Sequence, residues 1–276
     1  MRALPALLFG SVLLCGAAGT AGAADEPVRE LDPVHVNAMR DPEVRKYKVI
    51  LAGLDAFDRH HKLAPAVERL AFRLTTRQKD ESPEPLAARL VGDDGFKLPI
   101  AIDAGGRFEV PRSEAAEDAK SELELNRKRR LYRTDPEVRT PGLPENQRRL
   151  GDLRLECKVT IAMAKEEIPT FWVMTINTLL LRTDWCGFFG DQDDFRWEGA
   201  SRKAHFPYRS GRPLAGAILV EGNRSAKLEV KGQSFQVPIG NATWSDEARV
   251  ELAFADEAPA TVATTGTAGE TPRTAP

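Results

Sequence analysis

The stretch Leu153-Arg154-Leu155-Glu156-Cys157-Lys158-Val159-Thr160-Ile161-Ala162-Met163 dominates any prediction of the fold from this sequence. Every second residue in it is apolar, and the residues between are mostly polar. Because successive side chains on a β-strand point to opposite faces, this alternation is typical of a long strand with one dry face. We therefore predict a central strand over 153–163. Residues 171–181 are apolar on both faces, which predicts a second, fully buried strand.

Two blocks on either side of the central stretch resemble each other. Residues 86–125 and residues 214–254 both contain short alternating apolar runs separated by glycine turns. They share two motifs: Phe108-Glu109-Val110-Pro111 with Phe235-Gln236-Val237-Pro238, and Glu122-Leu123 with Glu251-Leu252. Short strands in this arrangement favour antiparallel sandwiches, and the resemblance predicts an internal repeat.

The predicted fold class is mostly β, with two tandem antiparallel β-sandwich units of the Ig-like or transthyretin-like kind. One short amphipathic helix over about 42–58 precedes them, because Asp41-Pro42 suits a helix start and apolar residues follow at helical spacing. The predicted divisions are a signal peptide (1–24), an extended lead-in (25–40), the helix with the first sandwich unit (41–126), a basic Pro-rich linker (127–150), the second sandwich unit (151–254) and a disordered tail (255–276).

The N-terminal residues have the pattern of a secretion signal. Arg2 supplies a positive charge, an apolar run extends from Leu4 to Leu14, and Ala21-Gly22-Ala23 offers small residues for cleavage. The run is too short to span a bilayer, which argues against the alternative of a membrane anchor. We therefore expect a secreted, periplasmic protein without a transmembrane segment in the mature chain.

The overall charge limits the classes of partner. The chain carries 39 Lys and Arg against 41 Asp and Glu, a net charge of −2, and loses one more positive charge with Arg2. This balance excludes bulk electrostatic binding to nucleic acid, so any charge-driven contact must be local. An envelope protein or polysaccharide is the expected partner.

Cys157 and Cys186 are the two cysteines that remain after removal of the signal. An even count in an exported protein favours a disulfide between them. The alternative is a buried free thiol at Cys157 and an unrelated Cys186.

The segment 184–198 concentrates aromatic and acidic residues. Its candidate ligand-binding residues are Trp185, Phe188, Phe189 and Trp197, and its candidate metal ligands are Asp191, Asp193 and Asp194. The aspartates offer oxygen ligands of the kind calcium prefers, although their spacing does not fit an EF-hand, and the aromatic rings could stack on a sugar or peptide. The alternative is a hairpin tip whose aromatics cover the sandwich and whose aspartates pair with the basic linker.

Two further groups have competing interpretations. The basic run Arg127–Arg130, with Arg133, Arg148 and Arg149, would suit anionic envelope polymers or phosphate groups, or form a solvated linker. His60-His61 near Asp55 and Asp58 would suit zinc or a base with its orienting carboxylate, or simply occupy a helix end.

The sequence favours a non-catalytic role. It contains no Gly-x-Ser-x-Gly, no His-Glu-x-x-His and no phosphate-binding loop. The expected function is an envelope binding or scaffold module without a cofactor. The alternative is a carbohydrate- or calcium-binding protein that uses the 184–198 segment, and a hydrolase is the third hypothesis.

Overall fold

The computed structural model describes residues 41–78, 80–82, 84–181, 183–188, 196–197, 200–201 and 206–257. The predicted signal peptide, the lead-in and most of the tail lie outside these residues. The helices of the described part are α1 (Tyr47–His60), α2 (Glu114–Asp118), α3 (Leu150–Glu167) and α4 (Thr170–Leu180). Among them, none combines the length and the apolar composition needed to cross a bilayer.

The strands follow one another along the chain with short connections. They are β1 (Pro42–Lys46), β2 (Ala71–Thr76), β3 (Ala88–Val91), β4 (Lys97–Ile100), β5 (Arg107–Phe108), β6 (Glu122–Lys128), β7 (Tyr132–Glu137), β8 (Gln147–Arg149), β9 (Arg196–Trp197), β10 (Ala200–Ser201), β11 (Phe206–Arg209), β12 (Leu214–Glu221), β13 (Arg224–Lys227), β14 (Val230–Lys231), β15 (Ser234–Val237) and β16 (Arg249–Phe254).

The described strands all pair antiparallel, which confirms the mostly β fold class. A first unit contains the sheets β1-β6-β3-β4 and β5-β2-β7, and a second unit contains β13-β12-β16-β8 and β11-β15-β14. Strands β9 and β10 pair with each other. Each unit has its own apolar core, to which both of its sheets contribute.

The predicted central strand is wrong, because its residues lie in α3. This helix is buried on two opposite sides: Leu155, Val159 and Met163 belong to the first core, and Leu153 and Cys157 to the second. Each set recurs every four residues, and the two sets are offset by two positions, or about 200° around a helix. The two interleaved sets therefore place an apolar residue at every second position, which is the apolar pattern typical of a β-strand.

The second predicted strand, over 171–181, is also wrong, because these residues form α4 and its C-terminal cap. A short apolar run does not distinguish a strand from a helix by its periodicity. Nor is the run buried: no residue of α4 reaches full burial.

Part of the predicted linker over 127–150 lies in the sheets. It contains the end of β6 and all of β7 and β8. Pro136 is tolerated within β7 because β7 is the edge strand of its sheet, where a missing N–H breaks no further pairing. Of the predicted tail, residues 255–257 are described, and Asp256 and Glu257 form ion pairs with Arg212 at 2.6 and 2.7 Å.

The first helix begins later than predicted. Residues 42–46 pair with β6 as β1, and α1 starts at Tyr47, whose backbone N–H donates to Ser121 O at 2.8 Å. The helix packs closely on α3 at Gly53, where a Cβ atom would lie 2.9 Å from Met163 Cγ. Glycine at this position therefore permits the close approach of the two helices.

The two units share a layout. In each four-stranded sheet an edge strand leads directly into a helix, β1 into α1 and β8 into α3, and pairs with the last strand of the sheet in sequence. Phe72 and Phe108, paired across β2 and β5, stack with ring centres 5.7 Å apart. Tyr208 and Phe235, paired across β11 and β15, repeat this contact at 5.7 Å.

Candidate functional site: an arginine-lined groove

A groove of about 470 Å³ lies between the edge of the first unit and strand β11 of the second. Strands β2, β5 and β7 supply one wall, and the segment 206–211 supplies the other. Glu156 and Thr160 of α3 also line it, so the helix that both cores share borders the groove. We call this feature the arginine groove.

Positive charge predominates among the residues that line the groove. Six arginines face four carboxylates: Arg73, Arg107, Arg133, Arg139, Arg148 and Arg209 against Asp135, Glu137, Glu145 and Glu156. The lining therefore has two more positive than negative charges, although the chain as a whole has a net charge of −2.

Glu137 forms ion pairs with two arginines of the first wall. Its carboxylate lies 2.9 Å from Arg73 and 2.7 Å from Arg107, and its side chain is 10 % exposed. Asp135 is held by Arg133 at 3.2 Å and by the hydroxyl of Thr75 at 2.9 Å. These carboxylates fix their arginines in place and leave little freedom for the carboxylates themselves.

A buried ion pair joins β8 to α3 beneath the groove. Arg148 donates to Glu156 at 2.7 Å and to Val138 O at 3.0 Å, and its side chain is 7 % exposed. Burial favours loss of the arginine proton, but Glu156, Glu137 and Asp152 together outweigh it and raise the pKa of Arg148. The Nε of Arg148 has no hydrogen-bond partner among the described residues.

Arg139 and Arg209 differ from the other groove arginines, because neither has a carboxylate partner within the described part of the chain. Arg139 donates to the carbonyl of Pro144, and Arg209 is exposed. Burial, followed by repulsion from Arg148 and Arg107, lowers the pKa of Arg139. An anion in the groove would relieve this repulsion.

The predicted disulfide is present. Cys157 and Cys186 are bonded, with their Cα atoms 6.0 Å apart. The bond attaches the segment after α4 to the middle of α3, and both cysteines belong to the second core.

Trp185, one of the residues of the predicted stacking platform in segment 184–198, is buried, with 9 % of its surface exposed. Its indole donates to Asn177 Oδ1 at 2.8 Å, and Lys165 lies 4.7 Å from the ring centre. Trp185 directly precedes Cys186 of the disulfide, and its buried ring offers little exposed surface for stacking.

The rest of that segment is not tested. The side chains of Phe188 and Trp197, and the whole of Phe189, Asp191, Asp193 and Asp194, lie outside the described residues. Sugar or calcium binding there stays a prediction. Within the described ranges, no group of three or more His, Cys, Asp or Glu side chains is placed to hold a metal ion.

The predicted pairing of His60-His61 with nearby aspartates does not form. Asp55 and Asp58 instead bind Arg112 at 2.8 and 2.7 Å. The Nε2 of His61 lies 2.6 Å from Val67 O. Burial and the nearby charge of Lys158 lower the pKa of His60.

The predicted basic run is divided by the fold. Arg127 is buried and donates to Asp80 at 2.6 Å, and Arg149 binds Glu247 on the far side of β8 from the groove's first wall. Only Arg133 and Arg148 of the run line the groove. The other groove arginines come from separate segments of the chain, so no local pattern could have identified them.

Comparison of the chain with protein-family models, curated proteins and solved structures gives no match. The functional argument therefore rests on the chemistry of the groove.

Proposed function

We propose that the mature chain is a secreted, periplasmic, non-catalytic binding protein of the cell envelope, and that it holds an anionic ligand in the arginine groove. The observation that carries this proposal is the pair Arg139 and Arg209, two guanidinium groups without carboxylate partners among the described residues. They line one concave surface to which both units contribute.

The chemistry of arginine supports an oxyanion as the ligand. A guanidinium group presents a planar fork of N–H donors that matches the two oxygens of a carboxylate or phosphate. The Nε of Arg73 is buried and also lacks a hydrogen-bond partner among the described residues. Carboxylated and phosphorylated envelope polymers carry groups of this kind.

The state of the groove carboxylates favours binding over hydrolysis. A general acid or base must be free to exchange a proton with the substrate. Glu137 instead contacts two arginines, and Glu156 accepts from Arg148 and from the backbone N–H of Val138 at 3.2 Å. Carboxylates held in this way position cations rather than transfer protons.

Two features of the chain support export. The N-terminal sequence has the charge, the apolar run and the small residues of a signal peptide. The bond between Cys157 and Cys186 suits an oxidising compartment.

The shared layout of the two units supports the further proposal that they are tandem sandwich-like copies of one ancestral unit. Phe108 and Phe235, in the motifs that resemble each other, occupy the equivalent strands β5 and β15. On this account α4 and the residues up to β11 are an insertion in the second copy.

Titration calorimetry on the mature chain tests the binding function. The probes are tripolyphosphate and an oligogalacturonate, with neutral dextran as the control ligand. Replacing both Arg139 and Arg209 with glutamine should weaken binding at least about tenfold, since a charged hydrogen bond contributes roughly 1.5–3 kcal/mol. The variant Arg69→Gln/Arg224→Gln, which removes two exposed arginines outside the groove, should bind like the wild type.

Two outcomes would overturn the proposal. One is no binding of either anionic probe at low ionic strength. The other is binding that the groove variant and the control variant weaken equally, which would indicate general charge attraction.

A further inference from the structure

Helix α4 carries a concentrated apolar surface. The exposed fractions of its large apolar side chains are 69 % for Phe171, 55 % for Trp172, 64 % for Met174, 66 % for Leu179 and 90 % for Leu181 at the cap. Elsewhere among the described residues, the exposed large apolar side chains are Val44 and Ile218, each less than 40 % exposed. We use the name α4 patch for the five exposed apolar residues Phe171, Trp172, Met174, Leu179 and Leu181.

The polar groups within the patch are already satisfied. Thr175 Oγ1 donates to Phe171 O at 2.9 Å, and Thr178 Oγ1 donates to Met174 O at 3.0 Å. The helix contains no charged residue from Thr170 to Leu180. Covering this face would therefore leave the hydroxyls of Thr175 and Thr178 with their partners and would bury no charge of the helix.

The size of the patch fits pairing with an equal partner. With about 150–250 Å² for an aromatic side chain and somewhat less for the others, the exposed fractions amount to roughly 600 Å² per chain. A monomer rarely exposes a larger continuous apolar area. Two such patches face to face would bury about 1,200 Å², the lower end of the range for specific interfaces.

The charges around the patch favour protein over lipid as the occupant. Helices that lie on membranes usually carry Lys and Arg on a polar face, and α4 has neither. Glu166 and Glu167, at the end of α3, are paired with Lys48 and Arg45 at 2.7 and 3.2 Å, so they add little net charge beside the helix. An uncharged face can, however, meet its own copy without repulsion.

We propose that the α4 patch is a dimerisation surface, on which α4 of one chain packs against α4 of a second copy about a two-fold axis. Such an interface is self-complementary, because the same residues contribute from both sides. The proposal is independent of the arginine groove and goes beyond ligand binding.

Sedimentation equilibrium of the full mature chain, over about 1–200 µM, tests the proposal in the concentration range of weak to moderate dimers. The wild type should be a reversible dimer. The variants Trp172→Glu and Leu179→Glu should shift the dimer dissociation constant upward by at least tenfold. Ile218→Glu, which places the same charge on an exposed apolar site of β12, is the matched control and should dimerise like the wild type. Circular dichroism of each variant verifies that the fold is retained.

A monomeric wild type over the whole range would overturn the proposal, as would a dimer that survives both α4 substitutions. Flotation with neutral phosphatidylcholine vesicles distinguishes the main alternative. A monomer that floats with the vesicles, and no longer does so after Trp172→Glu, would assign the α4 patch to a lipid surface instead.

Discussion

Replacing Arg154 with methionine tests the position of α3 against the second unit. Arg154 lies on the polar face of the strand that the sequence predicts, where its loss would have little effect. In the structure its guanidinium instead donates to Ile239 O, Asn241 O and Trp244 O, each at 2.9 Å, and pairs with Asp246. The side chain is 15 % exposed, so it fastens α3 to the loop before β16.

The expected loss follows from these contacts. Methionine keeps much of the aliphatic stem but removes all four donations, leaving three carbonyl groups without this donor. Hydrogen bonds from a charged group contribute roughly 1.5–3 kcal/mol each, and water reaching the partly exposed Asp246 will offset part of the loss. We therefore expect a destabilisation of about 3 kcal/mol, which for a chain of this size lowers Tm by roughly 6–12 °C.

Scanning calorimetry and urea unfolding of the mature, disulfide-bonded chain measure the change. Arg112→Met is the matched control, because Arg112 also contacts two carboxylates, Asp55 and Asp58, but its side chain is 47 % exposed. Exposed ion pairs contribute about 0–1 kcal/mol, so this variant should stay within that range. If Arg154→Met costs no more than Arg112→Met, Arg154 faces solvent and the described position of α3 is wrong.

Three further predictions concern the cross-links within the units. Replacing Cys157 and Cys186 with serine should destabilise the fold by about 3–4 kcal/mol, which urea unfolding of the two forms measures; an unchanged midpoint would show that the bond constrains neither state. Burial alone would raise the pKa of Asp80, but the hydrogen bonds that Arg127 and Tyr132 donate to it outweigh burial and lower this pKa. The carboxylate therefore stabilises the fold above the pKa of an unfolded aspartate, near 4. This stabilisation is lost as the pH falls through the lower pKa of the folded state. Asp80→Asn should therefore flatten the acid limb of the stability curve below about pH 4, and an acid limb identical to that of the wild type would contradict this role. Burial and the hydrogen bond to Asp80 raise the pKa of Tyr132 to about 12, so the free energy of unfolding should also fall between about pH 10 and 12. Tyr132→Phe should remove this loss. An alkaline limb that the substitution leaves unchanged would refute the prediction.

The sequence predicted the antiparallel, mostly β character of the chain because most of its strands have one face in a core. The alternation of Leu70, Phe72 and Leu74, for example, marks a strand with one buried face, and β2 has that pattern. At α3 the alternating apolar pattern predicted the wrong element, because such alternation is typical of an element with one buried face. A helix between two cores has two dry faces, and Leu153 and Leu155, although only two residues apart, belong to different cores.

The disulfide was predictable because only two cysteines follow the predicted signal, and an even number favours pairing in a chain expected to be exported. The arginine groove was not. Arg73, Arg107, Arg139 and Arg209 come from separate segments of the chain that only the tertiary fold brings together. Nor does sequence distinguish them from Arg127, which lies in the most basic run of the chain and yet is buried in a structural ion pair.

The most direct test of the binding account is a nuclear magnetic resonance titration that follows the arginine Nε–H signals of the mature chain. Tripolyphosphate is the probe, since it is small enough for the groove and carries several phosphoryl groups. Binding in the groove should shift the signals of Arg73, Arg139 and Arg209 along one saturating curve and leave that of Arg127 unchanged. Shifts confined to arginines outside the groove, or no saturable shift at any groove arginine, would contradict the assignment of this groove as the ligand site.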